Sequence, residues 1–262
     1  MLYTTIGGWM LAYFFKMAKG EFQGLDTKGV SQAFDSLRAD APTMIFWMFL
    51  VVILSFLVCS MGLQSGVERI NKIMMVVLLL LMGVLAVNSC LLPGAAEGLK
   101  FYLVPDFGKL MENGISEAVF AAMGQAFFTL SLGIGALGIF GSYIGKERKL
   151  TGEAVNILIL DTTVALIAGM IIFPACFAFG INPGEGPGLV FVTLPNVFNE
   201  MPGGRLWGAL FFLFMTFAAL STIIAVFQNL ISFAQDLWNW SLKKAVVVNG
   251  VAVFVLSLPC IF

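Results

Sequence analysis

One acidic side chain of this sequence lies deep inside an apolar segment. Asp161 stands in ILILDTTVALIAG, well away from any other charged residue. An ionisable group at bilayer depth is costly to bury, so it indicates a functional site by default. We favour that interpretation over a structural carboxylate bonded to Thr162, Thr163 or a neighbouring helix. A hard cation such as sodium, which takes oxygen ligands, would suit the carboxylate, and a proton relay is the other candidate.

Two adjacent hydroxyl residues lie in a second apolar segment, FMTFAALSTIIAVFQN. The hydroxyls of Ser221 and Thr222 would ordinarily bond to a carbonyl of the preceding helical turn. Ala218 lies three residues before Ser221, so its carbonyl falls near the same helix face. A carbonyl and two hydroxyls would also make half of a sodium coordination shell. Both interpretations stay open from the residues alone.

Glycines interrupt a third apolar segment, GQAFFTLSLGIGALGIFGSY at 124–143. Gly133 and Gly135 follow Thr129 and Ser131, and each glycine weakens a helix by about 1 kcal/mol relative to alanine. Non-helical backbone at membrane depth survives only where protein or a water-filled cavity receives its polar groups. A break here would therefore indicate a binding site, whereas the alternative is small residues that allow tight helix packing.

Several other chemistries are excluded by residue type or context. The letters GIGALG at 133–138 match a dinucleotide fingerprint, and Glu153 follows Gly133 by twenty residues. That fingerprint needs a preceding strand in a soluble βαβ unit, which a long apolar segment does not provide. Histidine is absent, which removes a Ser–His–Asp triad and histidine-ligated metal sites. The four cysteines are far apart and are interpreted as small buried hydrophobic residues: Cys59, Cys90, Cys176 and Cys260.

The composition places these segments in a membrane. The chain is 60% hydrophobic and 11% charged, with a mean hydropathy of +0.97. A soluble domain is about 45–50% apolar and about 25% charged. The net charge of −1 gives no electrostatic footprint for nucleic acid. We therefore expect an integral membrane protein.

Seven segments are long and apolar enough to be transmembrane helices of about 20 residues. Their approximate bounds are 2–18, 43–62, 72–93, 116–143, 153–180, 204–234 and 244–262. The sequence thus predicts an all-α integral membrane protein, with one transmembrane domain over 1–262. It has about seven transmembrane helices, one of them broken near Gly133–Gly135.

The connections between the predicted spans alternate in length. Long ones at 19–42, 94–115 and 181–203 would lie on one side of the membrane, and short ones near 63–71, 144–152 and 235–243 on the other. The short connections carry lysine and arginine at higher density, which favours the cytoplasm for them. Within the last long connection, the apolar run at 189–199 is too short to span and contains Pro195. We expect a re-entrant or capping hairpin there.

The ends of the sequence also bear on its organisation. The segment 2–18 begins without a flanking loop, and the segment 244–262 stops inside an apolar run. A membrane protein seldom ends in mid-span. We expect a fragment of a longer protein.

Several motifs resemble those of one transporter family. GQAFFTLSLGIGA at 124–136 resembles the sixth span of the neurotransmitter:sodium symporters, which have the LeuT fold. YTTIGGW at 3–9 resembles the third span, and DTTVALIAGMIIFPA at 161–175 the seventh. GLVFVTLPNVF at 188–198 resembles the hairpin of the fourth extracellular loop, and FAALSTIIAVFQ at 217–228 the eighth span. The resemblance implies a partial LeuT fold, from the third to the ninth of about twelve spans.

The resemblance implies two sodium sites. Thr129 and Asp161 would supply oxygens to the first, and Ser221, Thr222 and the Ala218 carbonyl would supply the second. The family's first span normally supplies the other half of both sites and of the substrate site, and it is missing here. We therefore expect that this chain alone does not transport.

The resemblance also implies a substrate site. Tyr3 would hydrogen-bond the substrate carboxylate. The carbonyls of Phe128 and Thr129 and the hydroxyl of Ser131 would meet its amino group, with Phe128 closing the pocket. The side-chain subsite would be lined by Ile134 and Val226, and Gln125 would belong to the outer pathway. The apolar wall at Ile134 predicts a neutral, hydrophobic amino acid.

The resemblance implies sodium-coupled symport by alternating access in the plasma membrane, for which a bacterial inner membrane is expected. The protein would be multi-pass and not an enzyme, and its partners would be sodium, an amino acid and the lipid bilayer, with no nucleic acid. Chloride-dependent members carry asparagine where Asp161 stands and serine where Ala165 stands, so no chloride requirement is expected.

Other classes of membrane protein remain as alternatives. A proton-coupled amino-acid transporter of the same fold would be separated by the sodium dependence of uptake. A non-transporting membrane subunit is the other alternative. A structural subunit or channel would be recognised by a pore-lining pattern rather than by one broken helix. An enzyme acting on a lipid or isoprenoid would need a nucleophile, base or metal cluster, and Asp161 stands alone.

Overall fold

The computed structural model of the chain describes residues 2–61, 64–133, 135, 141, 149–184, 186 and 188–261. These ranges contain helices, turns and loops and no strand. The α-helices are α1 Leu2–Lys19, α2 Thr27–Ala39, α3 Ala41–Met61, α4 Gln64–Cys90, α5 Ala95–Leu103, α6 Phe107–Asn113, α7 Ile115–Thr129, α8 Leu150–Phe179, α9 Leu194–Glu200, α10 Gly204–Trp238 and α11 Leu242–Ser257. A π-helix at Leu189–Thr193 leads into α9, and a short 3₁₀ helix at Leu258–Cys260 follows α11.

Each of the seven predicted spans overlaps a helix, but fewer of these helices meet the length and composition expected of a span. Among the described residues, four do: Ala41–Ser60, Leu150–Phe179, Gly204–Trp238 and Leu242–Cys260. A fifth is reached only if Met75–Cys90 and Ala95–Leu103, two helices bent by 116°, count together as one span. The predicted span 2–18 is diluted by threonines, glycines and lysines, and 116–143 is cut short because α7 ends at Thr129.

The helix α1 is the centre of the packing and lies against α3 and α10. Its small residues allow this close approach: a Cβ added to Gly8 would lie 2.9 Å from the backbone nitrogen of Met48 on α3. The hydroxyl of Thr4 donates to the Ser257 hydroxyl of α11 over 3.1 Å, with both side chains buried. The threonines and glycines that lower the hydropathy of α1 are therefore inside the protein rather than against lipid.

An aromatic cluster holds the end of α1 to the neighbouring segments. Tyr13 is fully buried, and its ring lies 5.0 Å from Phe191 of the π-helix, 5.1 Å from Phe22 and 5.2 Å from Phe212 of α10. Such pairs add about 0.5–1.5 kcal/mol each beyond area burial. The cluster fixes the C-terminal end of α1 against the π-helix and α10.

The predicted capping segment at 189–199 is helical and packed over this end of α1. Pro195 lies in the first turn of α9, where a missing N–H costs little. The amide of Asn199 donates to the carbonyl of Phe22 over 2.8 Å, and the Arg205 guanidinium donates to the carbonyl of Ala18. The segment covers one end of the helix assembly and does not span it.

Candidate functional site

The predicted helix break begins immediately after Thr129. The helix α7 ends there, and Ser131 has a left-handed backbone with φ of 52°, which is uncommon for a residue with a side chain. The amide of Ser131 donates to the Phe128 carbonyl over 3.0 Å, and that of Leu132 to the Phe127 carbonyl over 3.2 Å. Gly135 also has a positive φ, of 71°. The backbone is therefore non-helical at the place where the glycines predict a break.

The break brings Thr129 opposite Asp161 of α8. The Thr129 hydroxyl lies 3.2 Å from one carboxylate oxygen of Asp161 and 3.3 Å from the other, and can donate to either. Asp161 is half-buried, and the two residues are 32 positions apart in the chain. A carboxylate beside a hydroxyl is an oxygen-only donor set, which is the kind that hard cations prefer. The geometry fits the first predicted sodium pair.

The second predicted group lies within one turn of α10. The Ser221 and Thr222 hydroxyls both donate to the Ala218 carbonyl, over 2.8 Å and 3.3 Å. These are the bonds to the preceding helical turn that hydroxyl residues ordinarily make within a helix. The three oxygens are nevertheless gathered on one face, and each hydroxyl oxygen has lone pairs that a cation could use when its proton turns away. The structure is compatible with both interpretations.

Two predicted substrate residues lie near each other. The rings of Tyr3 and Phe128 have centroids 6.3 Å apart and an interplanar angle of 38°. Both are open on one side, with 42% of Tyr3 and 61% of Phe128 exposed. Ser131 is half-buried at the break next to Phe128. The start of α1 and the end of α7 therefore lie side by side where the substrate site is predicted.

The remaining predicted residues are less closely gathered. Val226 is half-buried on α10 and packs against the hydrophobic cluster around Phe227. Gln125 is exposed on α7. Ile134 lies outside the described residues, so its predicted place in the side-chain subsite stays a prediction.

Sequence reasoning does not identify two residues near the site. A Cβ added to Gly135 would lie 3.6 Å from the side-chain nitrogen of Asn229 on α10, which places a polar amide beside the break. Tyr102 of α5 donates its hydroxyl to the carbonyl of Ala165, one turn after Asp161 on α8, over 3.4 Å. The spacing of Gly98 and Tyr102, four residues apart on one helix face, is the only signal in the sequence.

The described chain leaves the site open on the side of α7. No described side chain of α7 is buried, although the helix is rich in alanine and phenylalanine. An apolar helix with no buried face is exposed to lipid or covered by further helices. The described residues therefore form one side of the site.

Known proteins resemble this chain along nearly its whole length. The model of the "Sodium:neurotransmitter symporter family" matches residues 27–262. The uncharacterised sodium-dependent transporter YhdH of Bacillus subtilis (strain 168) is 36% identical over 258 residues, covering 98% of this chain and 56% of that protein. An uncharacterised sodium-dependent transporter of Haemophilus influenzae is 34% identical over 264 residues, covering 99% of this chain and 57% of that protein.

The fold also matches a solved structure. The crystal structure of MhsT in complex with L-phenylalanine aligns with a TM-score of 0.92 and 39% sequence identity. The match covers 99% of this chain and 58% of the MhsT chain. The chain thus spans somewhat more than half the length of the proteins that it matches.

Proposed function

This chain belongs to the sodium:neurotransmitter symporter family, and we propose that its residues form part of a symporter that carries a neutral, hydrophobic amino acid together with sodium. The predicted family and all-α LeuT-like fold are confirmed by the family match and the MhsT alignment. The observation that carries the proposal is the Thr129 hydroxyl beside both carboxylate oxygens of Asp161, at the end of a broken helix. Transporter ion sites commonly lie at such breaks.

Sodium is favoured over a proton by the kind of donors that the chain gathers. The first group offers a carboxylate and a hydroxyl, and the second offers two hydroxyls and a carbonyl. The second group has no ionisable member, so it can bind a cation but cannot hold a proton at neutral pH. The names of the Bacillus and Haemophilus relatives also say that they are sodium-dependent.

An amino-acid substrate suits the end of α7. A zwitterion at membrane depth needs donors for its carboxylate and acceptors for its amino group, because an unpaired buried charge is costly. The Tyr3 hydroxyl would donate to the carboxylate, while the carbonyls of Phe128 and Thr129 and the hydroxyl of Ser131 would accept from the amino group. The tyrosine and phenylalanine rings, with Val226 and Ile134, supply apolar walls. MhsT, which shares this fold, has been solved with L-phenylalanine.

Binding of sodium and substrate would be coupled at the first site. A sodium ion beside Asp161 and Thr129 would lie close to the substrate carboxylate and compensate its charge. Each ligand would therefore increase the affinity for the other by the same factor. The exposed face of α7 indicates that further helices complete the sodium and substrate sites. The greater length of the relatives leaves room for such helices. The 262 residues alone are not expected to transport.

Asp161 also bears on the ion requirement. A fixed carboxylate at this position supplies a negative charge that a bound chloride would otherwise provide. We propose chloride-independent transport across the plasma membrane, in a multi-pass protein. Equal uptake by the full-length protein in sodium chloride and in sodium gluconate supports this, and a clear loss in gluconate contradicts it.

Competition binding tests the substrate class. The full-length protein is purified in detergent with sodium present, and radiolabelled L-phenylalanine is displaced by a panel of unlabelled amino acids. Neutral hydrophobic amino acids should compete well, and glutamate and lysine poorly. A preference for acidic or basic amino acids would contradict the proposed subsite, whereas binding that is independent of sodium would contradict the proposed coupling.

A further inference from the structure

The helices α4 and α5 form a corner that packs tightly on α8. The chain turns between Cys90 and Ala95, and the two helices bend by 116°. A Cβ added to Gly98 of α5 would lie 2.6 Å from both the Phe173 carbonyl oxygen and the Pro174 Cα of α8. Only glycine permits this backbone contact, so the corner and α8 fit together closely.

Tyr102 lies one turn beyond Gly98 and extends the contact along α8. Its ring stacks on Phe173, with centroids 4.8 Å apart and an interplanar angle of 20°. The phenol fills the space over Gly169, where an added Cβ would overlap the tyrosine ring. Its hydroxyl then reaches the Ala165 carbonyl over 3.4 Å. A side chain at position 169 would force this ring out.

The same corner makes a second contact where α8 lacks a backbone bond. Pro174 has no N–H, so the carbonyl of Met170 loses its usual helical donor. The Cys90 thiol, at the end of α4, lies 3.9 Å from that carbonyl and donates to it. The corner therefore contacts α8 at two places where the helix is intrinsically weak, Gly169 and Pro174.

Burial along α8 shows why these contacts matter for Asp161. Among the described residues, every buried residue of this helix lies at or beyond Gly169. The part that carries Asp161 has only half-buried side chains against the core, among them Val164, Ile167 and Ala168. Tyr102 contacts α8 nearer to Asp161 than these buried residues do, because its hydroxyl donates to the Ala165 carbonyl, one turn after Asp161. The corner therefore adds a directional hydrogen bond to the turn that follows Asp161.

We propose that Tyr102 is a positioning residue for the Asp161 carboxylate. By filling the space over Gly169 and donating to the Ala165 carbonyl, it holds the helical turn that places Asp161 opposite Thr129. It sets the sodium affinity of the first site without touching the ion, and this role rests on the sodium site proposed above.

The test measures the sodium concentration that gives half-maximal uptake of L-phenylalanine by the full-length protein in proteoliposomes. Tyr102→Phe keeps the ring and removes the hydroxyl, and it should raise this concentration about two- to tenfold, as expected for the loss of one hydrogen bond. Gly169→Ala displaces the whole ring and should raise it further. The maximal rate and the amount of protein in the membrane should change little in Tyr102→Phe.

Phe101→Leu is the matched control. Phe101 is adjacent, 53% exposed, and its ring lies 5.6 Å from Phe173 and 5.5 Å from Phe177. It packs on the same helix, but its side chain has no polar atom that could bond to the α8 backbone, so its loss should leave the sodium dependence unchanged. A purely structural role for Tyr102 would lower protein abundance or maximal rate and leave the half-maximal sodium concentration unchanged, which would overturn the proposal.

A double variant tests the contact between the Tyr102 ring and Gly169. When Tyr102→Ala has removed the ring, Gly169→Ala should add no further change, because the space that it needs is empty. Additive effects of the two substitutions on the half-maximal sodium concentration would contradict the proposed contact. If wild-type uptake does not depend on sodium, the proposed function fails. If wild type and Asp161→Asn differ as expected but Tyr102→Phe matches wild type, only the positioning role fails.

Discussion

Replacing Asp161 with asparagine removes the charge of the first proposed sodium site while keeping its size and one carbonyl oxygen. A unit charge about 4 Å from a cation contributes about 4 kcal/mol at an effective dielectric constant of about 20. Asp161 is half-buried, so solvent screening reduces this contribution. We take half, about 2 kcal/mol, which corresponds to about a 30-fold change in affinity.

The assay is uptake of radiolabelled L-phenylalanine into proteoliposomes that contain the full-length protein, with sodium varied against choline. Asp161→Asn should raise the half-maximal sodium concentration about 30-fold, as derived from the lost charge. Thr129→Val should raise it by a smaller factor, because it removes a neutral oxygen from the same site. The two effects should not be additive, since both residues act on one ion.

Glu153→Gln is the matched control because it removes a carboxylate from the first turn of the same helix. It should leave the sodium dependence unchanged. A shift of the half-maximal sodium concentration by less than about twofold in Asp161→Asn, or an equal shift in Glu153→Gln, would show that Asp161 does not bind the ion. A loss of pH dependence without any change in sodium dependence would instead assign Asp161 to a proton relay.

Three further predictions concern other parts of the chain. Thr222→Val should raise the half-maximal sodium concentration for uptake severalfold, whereas Thr216→Val, which removes a hydroxyl back-bonded on the same helix, should not; equal effects would favour back-bonding alone. Tyr3→Phe should weaken L-phenylalanine binding about two- to tenfold, while Tyr13→Phe, whose buried hydroxyl has no partner among the described residues, should bind like wild type in the same equilibrium assay. Hydrogen bonds from the Thr43 hydroxyl and amide lower the pKa of Asp40 at the start of α3. The ionised carboxylate therefore stabilises the fold above its ordinary pKa of about 3.9, and this stabilisation is lost as the pH falls through the lowered pKa. The difference in Tm between wild type and Asp40→Asn should therefore be constant near neutral pH and shrink below about pH 4, and a difference that grows in acid would contradict this.

The position of the break shows how far the sequence predicts the site. Glycine propensities locate it near Gly133 and Gly135, but the helix already ends at Thr129, and Ser131 adopts a left-handed conformation. Propensity identifies a weak region of about a turn, whereas the last helical residue depends on local hydrogen bonds and on neighbouring segments. The pairing of Thr129 with Asp161 follows from the family resemblance. The structure places the Thr129 hydroxyl 3.2 Å and 3.3 Å from the Asp161 carboxylate oxygens, and their role as sodium ligands stays a prediction.

The contact between Tyr102 and Gly169 could not be predicted in the same way. The two residues are separated by 67 positions. Tyr102 lies in no motif that indicates chemistry, and Gly169 lies in the 161–175 motif without being a predicted site residue. Their contact depends on the bend between α4 and α5, which composition does not reveal. The span count differs for a related reason: α1 is internal, so its threonines and glycines serve helix packing and lower its hydropathy.

Concentrative uptake distinguishes sodium-coupled symport from proton-coupled transport. Proteoliposomes that contain the full-length protein are given an inward sodium gradient, an inward proton gradient or neither, and the accumulation of L-phenylalanine is measured. Sodium-coupled symport predicts accumulation above the external concentration with the sodium gradient alone, in chloride and in gluconate, and its loss in Asp161→Asn. Accumulation driven by the proton gradient without sodium, or a sodium response that Asp161→Asn leaves intact, would contradict the account.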